Sequence, residues 1–555
     1  MRSIVKYLPL LLLLAACKKD TPAGATLNVS GFSAAVFATG DAVSIYGSGF
    51  DPDPTKDVVL FNGVPGEVAT ASANRLQVIV PLLIDDGKVT VAVHGQTAES
   101  RQSYTIVNVL QGLYTANFIL TPDKRYLLRG PVVFQGKLII QAGTVIYGEK
   151  VSHASLTASD VDWEGTAANP IVFTSDQASG DRAPGDWTGI SLVTPVTPGL
   201  NLQFAPLGQA TYVRVEYAGF HANGAGVRGV AVNLYTDNQS TLRYIEAAYS
   251  AGDGFEIQNE TQSSATAYAD HLVAVGCAGD DFLLNYGTMV IQFALGLKDP
   301  YNADVASSNS LGVNGGGGVM SNFTLVGYNP TARNVAGASS SSPLNNNAGA
   351  GVSIGEFVQD GRIGSAGSGG NFFMYNSVIA AGWKAGLALY GIDNPDYSYP
   401  YALQSNFIFY EDSIPWGSGE GVRENQLRYN YFVGTAPADY PFRGGIFARQ
   451  GHNPGAQSAF DDVTATHQDT LFGFYNDTAN SIADIGIQGL TDYGKLTAPV
   501  VLPATGSPLL TGARFPAFTN ANNPLLNKDV LYIGAFGTVD WTANWCNFNP
   551  QQTQY

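Results

Sequence analysis

Short apolar runs separated by polar or glycine-containing turns recur along the chain from about residue 112 onward. Typical runs are VVF at 132–134 and IVF at 171–173, and both consist of residues that favour β-strands. Equivalent positions in three of these runs are 214, 243 and about 270, which gives a period of about 27–29 residues. Helical periodicity is almost absent, so the pattern is typical of a β-solenoid.

In a parallel β-helix each coil pairs with the next at about 4.8 Å, and inward side chains stack on their counterparts. Corners need glycine or asparagine, which are frequent here. We therefore predict a right-handed parallel β-helix over residues 112–500. A β-propeller is the main alternative, but its blades are longer, about 40–45 residues. Residues 501–555, rich in proline and tryptophan, are predicted to cap the open end of the solenoid.

Residues 26–107 have a different pattern, in which apolar and polar positions alternate along short strands. The stretches GDAVSIYGSGF, VVLFNGVPG, LQVIVP and GKVTVAV follow one another there, and the second contains an Asn-Gly turn. In that order they resemble the motifs of IPT/TIG domains, which have an immunoglobulin-like β-sandwich fold. The resemblance implies a spacer or binding module that rarely catalyses. The predicted fold class is therefore all-β, an IPT/TIG sandwich followed by the β-helix and its cap.

The first residues have the features of an export signal. Arg2 and Lys6 precede an apolar run at 8–16 that is too short to span a bilayer. The run leads into Leu-Ala-Ala-Cys, which resembles the lipobox of bacterial lipoproteins; an ordinary secretory leader with a chance cysteine is the alternative. The resemblance implies a lipoprotein signal peptide over 1–16, lipid on Cys17 and a lipidated tether over 17–25. The expected location is the outer membrane, held by the lipid anchor and exposed at the cell surface.

Composition narrows the range of partners. Only 13% of the 555 residues are charged, and the net charge is −17. Phosphate binding needs basic patches, so nucleic acid is not an expected partner, and a polyanionic substrate would need bridging cations. The other two cysteines are Cys277 and Cys546, and there is no CxxC or HExxH motif. The sequence therefore predicts neither a disulfide framework nor a zinc site.

Several stretches of the predicted solenoid resemble one family. They are GDWTGISL at 185–192, VRVEYAG at 213–219, NSVIAAGWKAGLALYG at 376–391 and YIGAFGTVDWTAN at 532–544. Together they resemble secreted and surface β-helix proteins of gliding-type Gram-negative bacteria. That family has no assigned activity, so the resemblance implies a fold and a location but no reaction.

Two nearly identical stretches, AGDGFEIQN at 251–259 and AGDDFLLNY at 278–286, lie one period apart. On successive coils their backbones would stack about 4.8 Å apart. Three interpretations are open for Asp253, Asp280 and Asp281: capping of turn amides at a coil corner, a Ca²⁺ site, or catalytic carboxylates. Phe255 and Phe282 follow at equal spacing and predict a stacked aromatic ladder in the interior.

A second candidate site is aromatic and lies within 383–416. It contains Trp383, Tyr397, Tyr399 and Tyr401, and in an extended segment the three tyrosines project from one face. A tyrosine stripe with nearby Asp and Asn residues suits stacking on sugar rings. The alternative is a loop that packs its rings on the flank of the solenoid.

These features favour a surface protein that binds a polysaccharide or a surface or matrix protein without catalysis. The first alternative is a polysaccharide lyase or glycoside hydrolase of β-helix type acting at 253–281. The sequence lacks the Gly-His-Gly and Arg-x-Lys motifs of the pectin-hydrolase relatives of that type. The second alternative is a structural surface component. No cofactor is expected apart from the Ca²⁺ considered at Asp253, Asp280 and Asp281.

Overall fold

The chain forms two compact units, Met1–Ile106 and Val107–Tyr555. The computed structural model describes residues 26–82, 84–193, 207–221, 229–235, 240–258, 267–299, 309–327, 350–355, 372–380, 385–389, 426–428, 431–433, 447–449, 477–479, 485–487, 499–515 and 525–555. In these residues the regular structure consists of β-strands and short 3₁₀ turns, so the predicted all-β class is confirmed. No helix within these ranges is long and apolar enough to cross a membrane.

The first unit is a mostly antiparallel β-sandwich of eight strands. They are β1 (Asn28–Phe32), β2 (Val36–Phe37), β3 (Ala42–Ser48), β4 (Asp57–Phe61), β5 (Val64–Ser72), β6 (Arg75–Ile79), β7 (Gly87–Val93) and β8 (Gln96–Ile106). Their order is β1-β3-β6-β5-β4-β7-β8-β2. The β4–β5 hairpin turns at Asn62-Gly63, whose φ angles of 45° and 87° are those that an Asn-Gly turn supplies. Phe37, Phe61 and Tyr104 contact one another in its core.

The described residues of the second unit contain 24 strands, paired in parallel from coil to coil. They are β9 (Asn108–Tyr114), β10 (Phe118–Leu120), β11 (Arg125–Phe134), β12 (Leu138–Gln141), β13 (Val145–Gly148), β14 (Ser155–Ala158), β15 (Val161–Glu164), β16 (Ile171–Ser175), β17 (Gly189–Leu192), β18 (Gly208–Glu216), β19 (Val230–Tyr235), β20 (Thr241–Ala248), β21 (Asp253–Gln258), β22 (Ala267–Val275), β23 (Phe282–Leu297), β24 (Leu311–Val326), β25 (Ala350–Gly355), β26 (Phe372–Tyr375), β27 (Val378–Ala380), β28 (Ala385–Leu389), β29 (Gln426–Arg428), β30 (Tyr431–Val433), β31 (Phe447–Arg449) and β32 (Asp477–Ala479). This arrangement is a parallel β-helix, as the sequence predicts.

Three ladders run along the solenoid, and each forms one face. Face A contains 131–134, 155–158, 189–192, 230–235, 253–258, 282–285 and 311–314. Face B contains 138–141, 161–164, 208–211, 241–243, 267–270, 289–292, 318–321 and 372–375. Face C contains 125–128, 145–148, 171–175, 213–216, 245–248, 272–275, 294–297, 323–326 and 378–380.

The interior is built from side chains that repeat at one position in successive coils. On face A the inward column runs from Ile190 through Val232, Phe255 and Phe282 to Leu311, and all five are buried. The rings of Phe255 and Phe282 stack with centroids 5.4 Å apart and planes inclined by 13°. The predicted aromatic ladder is therefore confirmed.

From the coil of Tyr212 onward, the corner between faces B and C is a single residue in the left-handed backbone region. In four successive coils this residue is Tyr212, Tyr244, His271 and Phe293, with φ between 51° and 62°. We call these four residues the aromatic corner. Bulky side chains rarely adopt such φ values, so the surrounding packing has to stabilise them. Their rings stack from coil to coil, with centroid separations of 4.3 to 4.7 Å.

Residues 525–555, which we call the returning segment, lie along the side of the solenoid. Between Gly534 and Tyr555 the segment runs from the coil of Asn376 back to the coil of Tyr147. The backbone of the segment forms hydrogen bonds with polar side chains of the coils that it crosses. The backbone of Asn527 pairs with the Gln292 side chain, that of Tyr532 with Asn322, that of Asn547 with Glu246, and those of Pro550 and Thr553 with Arg182. The predicted cap over the open end is wrong for these residues, because the flank offers their backbone partners along many coils.

Trp541 and Trp545 of the returning segment cover the aromatic corner. Trp545 meets Tyr212 and Tyr244 edge to face, with centroids 5.8 and 6.0 Å away. Trp541 meets His271 in the same way at 4.9 Å. Edge-to-face contacts of this kind add to the stabilisation from area burial alone. The corner and the segment therefore stabilise each other.

Candidate functional site

The Ala-Gly-Asp repeat lies at the corner between faces C and A. Phe255, Phe282 and Leu311 are in register, so the residues two positions earlier, Asp253, Asp280 and Asn309, occupy equivalent places on three coils. Backbone bonds continue through the corner, for example from Gly254 N–H to Asp280 O at 2.8 Å. We call 253–254, 280–281 and 309–310 the aspartate corner.

Asp253 and Asp280 each cap the coil that follows. Asp253 Oδ1 accepts the backbone N–H of Asp280 at 2.6 Å. Asp280 Oδ1 accepts the backbone N–H of Asn309 at 2.9 Å and its side-chain amide at 3.0 Å. The two aspartates are only 2% and 3% exposed. This geometry confirms the interpretation of the repeat as a capped coil corner.

The side chain of Asp281 does not cap a coil and instead forms a fully buried ion pair. Lys298 Nζ lies 3.0 Å from Asp281 Oδ1, and both side chains are 0% exposed. The Ser310 hydroxyl donates to Asp281 Oδ2. Burial raises the pKa of Asp281 to about 6, and the charge of Lys298 opposes that rise.

The geometry does not fit the calcium and catalytic interpretations of Asp253, Asp280 and Asp281. Carboxylates with at most 3% exposure cannot reach a polymeric substrate. The ammonium of Lys298 already occupies the place beside Asp281 where a cation would bind. Within the described ranges no group of three His, Cys, Asp or Glu residues is placed to hold a metal ion.

Sequence reasoning missed the partners of the aspartates. It did not single out Lys298, Asn309 or Ser310. The available signal for Lys298 was its position directly after the 16-residue β23. The remaining candidate residues, Cys17, Trp383, Tyr397, Tyr399 and Tyr401, lie outside the described residues. Lipidation at Cys17 and sugar stacking at the aromatic residues stay predictions.

Asp270 is a second buried acid with several donors, on face B next to the aromatic corner. His271 Nδ1 lies 2.6 Å and Arg243 Nε 2.8 Å from its Oδ1, and the Tyr268 hydroxyl donates to Oδ2 at 2.6 Å. Burial acts to raise the pKa of Asp270, but these three partners together lower it. The imidazole stacks between Tyr244 and Phe293, so the cluster fixes the corner.

Buried charges also lie under the returning segment. Glu246 accepts the backbone N–H of Asn547, with its two oxygens 2.9 and 3.2 Å from the nitrogen. Burial raises the pKa of Glu246 to about 8, and the nearby Arg214 opposes that rise. Glu216 accepts the hydroxyl of Tyr555 at 2.5 Å. These groups hold the segment and are closed to a ligand.

The outward side of face C is apolar and covered. Ala248, Val273, Val275, Leu295 and Leu297 of this face are buried in one cluster with Ile485, Val501, Leu509, Ile533 and Phe536. On face B, Val290 and Val319 are buried with Leu526 and Tyr375. The later coils therefore have their faces B and C in contact with the C-terminal part of the chain.

Face A has a polar outward column instead. Thr157, Ser191, Asn233 and Glu256 follow one another in register on four successive coils, and all are partly exposed. Glu256 Oε1 accepts amide hydrogens from Gln258 at 2.7 Å and from Asn285 at 2.5 Å. Asn233 Oδ1 is a buried atom and accepts no hydrogen bond from the described residues. The column thus combines hydroxyl, amide and carboxylate groups, which is the chemistry that recognises sugar hydroxyls.

Fold and site together define a modular all-β protein, with an immunoglobulin-like sandwich and a parallel β-helix. Residues 27–106 match the family model of the IPT/TIG domain. Residues 112–198 match that of the pectate-lyase-like beta helix domain. These two matches agree with the two predicted domain types.

Solved structures give weaker similarities. An auxiliary nutrient binding protein from Bacteroides thetaiotaomicron is 22% identical over 16% of this chain and 24% of that chain, with a TM-score of 0.14. Dex49A from Penicillium minioluteum is 7% identical over 75% of this chain and 81% of that chain, with a TM-score of 0.19. The match thus spans about a quarter of the nutrient binding protein. A comparison with curated proteins found no match. TM-scores this low carry no argument about function.

Proposed function

We propose that this chain is a lipid-anchored surface protein whose β-helix binds a glycan without cleaving it. The observation that supports this most directly is the polar column Thr157, Ser191, Asn233 and Glu256 on face A. A repeating polymer presents its hydroxyl groups at regular intervals, and the column offers partners at steps of about 4.8 Å. Cleavage at 253–281 is not part of the proposal, because Asp253 and Asp280 are buried caps and Asp281 is buried in an ion pair.

Faces B and C of the later coils are in contact with the C-terminal part of the chain, which supports face A as the binding face. The predicted tyrosine stripe at 397–401 would add stacking groups to a site on this face.

The binding experiment places purified residues 20–555 on a panel of polysaccharides and measures both binding and released chain ends. We expect binding without release, and Glu256→Ala should weaken it at least about tenfold, equivalent to about 1.4 kcal/mol. Glu164→Ala is the matched control, because Glu164 is an exposed glutamate on face B. Release of ends or unsaturated products would favour the enzyme, and no binding to any polysaccharide would favour a structural component.

The anchor is tested separately. Cells supplied with an alkyne-labelled fatty acid should incorporate the label into the wild-type protein but not into the Cys17→Ala variant. Labelled protein should partition into the detergent phase and be accessible to protease added outside intact cells. Equal labelling of both proteins would contradict Cys17 as the lipid attachment site.

A further inference from the structure

The buried ion pair of Asp281 and Lys298 joins the two ends of one coil. Strand β23 is continuous from Phe282 to Leu297 and passes through faces A, B and C. Asp281 directly precedes it and Lys298 directly follows it. A bond between the two side chains would therefore close a complete coil into a ring.

The contacts around the pair hold the amine against the carboxyl group. Lys298 Nζ donates to the carbonyl oxygens of Cys277, at 3.3 Å, and Gly279. Asp281 Oδ2 accepts the Ser310 hydroxyl, whereas Oδ1 accepts no hydrogen bond of regular geometry although Nζ lies 3.0 Å away. The amine thus approaches the carboxyl group away from the usual direction of a hydrogen bond.

We propose that Lys298 and Asp281 form an intramolecular isopeptide bond that closes this coil covalently. Burial in the low-dielectric interior disfavours separated charges, so a proton can pass from Nζ to Oδ1 and leave an amine beside a carboxylic acid. Nζ then attacks Cγ at close range. The Ser310 hydroxyl stabilises the negative charge that develops on Oδ2.

The reaction is a balanced condensation. The Nζ–Cγ bond forms and the Cγ–Oδ1 bond breaks. Oδ1 leaves as water and takes two of the three protons of the original ammonium group. One proton stays on the new amide, and neither an oxidant nor any other reactant is needed.

Other lysines in ion pairs lack this environment. Lys88, Lys137 and Lys150 pair with carboxylates, but their side chains are 43%, 39% and 46% exposed. Their ammonium groups are in contact with solvent, so nothing holds them against a carboxyl group in a buried place. The reaction is therefore specific for Lys298 among these paired lysines.

The test is mass spectrometry of the purified full chain after denaturation and trypsin digestion. Residues 244–297 contain no lysine or arginine, so an unmodified chain gives separate peptides 244–298 and 299–333. An isopeptide bond blocks cleavage after Lys298, and we expect one peptide, 244–333, lighter by one water molecule. Separate peptides of full mass would overturn the proposal.

Two controls make the result specific. Asp253-Gly254 lies in the same peptide and can also lose water as a succinimide, but that product leaves cleavage after Lys298 intact and is opened by hydroxylamine. Loss of water together with cleavage after Lys298 would therefore overturn the proposal. The variant Lys298→Arg keeps a positive charge, and it should give the two peptides at full mass.

Discussion

The aspartate corner and the aromatic corner are two turns of the same coils. The first is stabilised by hydrogen bonds to carboxylates and the second by the packing of aromatic rings. At the aspartate corner, Asp253 and Asp280 accept the backbone N–H groups of the next coil. At the aromatic corner, stacked rings in the left-handed region are covered by tryptophans of the returning segment. One corner is stabilised by its neighbouring coil, and the other depends on residues far away in the sequence.

The difference shows two ways to stabilise a turn whose backbone is constrained. A polar side chain can satisfy the backbone groups directly, which needs only a short side chain at the correct position. A ring stack instead compensates for an unfavourable φ by packing, and it needs a cover to exclude water. The first solution repeats as a motif, whereas the second can accept tyrosine, histidine or phenylalanine at the same place.

The largest effect is expected from Lys298→Met at the aspartate corner. The substitution removes the amine that pairs with Asp281 and that forms the proposed bond. It leaves the Asp281 carboxyl group buried alone, which should lower the free energy of unfolding by about 3–5 kcal/mol. Denaturant unfolding measures it. Lys137→Met is the matched control, because Lys137 and Asp160 form an exposed pair at 3.4 Å and should contribute at most about 1 kcal/mol. Equal effects of both variants would contradict this account.

At the aromatic corner, Trp545→Ala should lower the free energy of unfolding by about 3 kcal/mol. Trp545 is 1% exposed and its removal leaves a cavity against Tyr212 and Tyr244. Limited proteolysis should then cut within 525–555 first, because those residues lose their main apolar contact. Val539→Ala is the control at a 70% exposed position and should change little. Unchanged proteolysis of Trp545→Ala would show that the hydrogen bonds alone hold the returning segment.

A smaller effect is expected from Asp280→Ala. The backbone N–H and side-chain amide of Asn309 both lose their acceptor in a buried place, which should cost about 1–3 kcal/mol. Asp280→Asn keeps an acceptor oxygen and should recover most of that stability. If the alanine and asparagine variants had the same melting temperature, capping by the side-chain oxygen would not be the role of Asp280.

The smallest effect, taken per pH unit, is the pH dependence of the returning segment. Burial raises the pKa of Glu246 from 4.5 to about 8, so between these values the folded state holds more protons than the unfolded state. The stabilisation that comes from protonated Glu246 is complete below pH 4.5 and is lost as the pH rises through 8. The free energy of unfolding then changes by at most about 1.4 kcal/mol per pH unit. Melting temperatures of wild type and Glu246→Gln across this range measure it.

Glu246→Gln should flatten the pH profile, because glutamine stays neutral throughout. Glu164→Gln is the control at an exposed glutamate and should keep the wild-type profile. An unchanged slope in Glu246→Gln would assign the pH dependence to other groups.

Features that depend on local repetition could be predicted from the sequence. The parallel coils, the stacked Phe255 and Phe282, and the corner role of Asp253 and Asp280 all follow from positions that recur at one period. The inward-facing residues of the strands are apolar in successive coils, so the sequence predicts the strands even where the turns between them vary.

Features that depend on distant contacts could not be predicted. The aromatic corner places Tyr212, Tyr244 and Phe293 at positive φ, against the usual preference for glycine or asparagine, so it gave no turn signal. Lys298 could not be identified as the buried partner of Asp281, because no local pattern distinguishes a buried lysine at a strand exit from an exposed one in a turn. The course of the returning segment depends on contacts such as Glu246 with Asn547, which are 301 residues apart.

The order in which these partners are synthesised has a consequence for how the protein matures. The coil of Glu246 can pair with its neighbours as soon as they exist, but its flank is covered only when Asn547 arrives, 301 residues later. Until then the acidic groups and the aromatic corner stay in contact with solvent, available to chaperones and proteases. Covering of the flank therefore requires that synthesis has passed residue 547, and interrupted chains keep an exposed surface that chaperones and proteases can recognise.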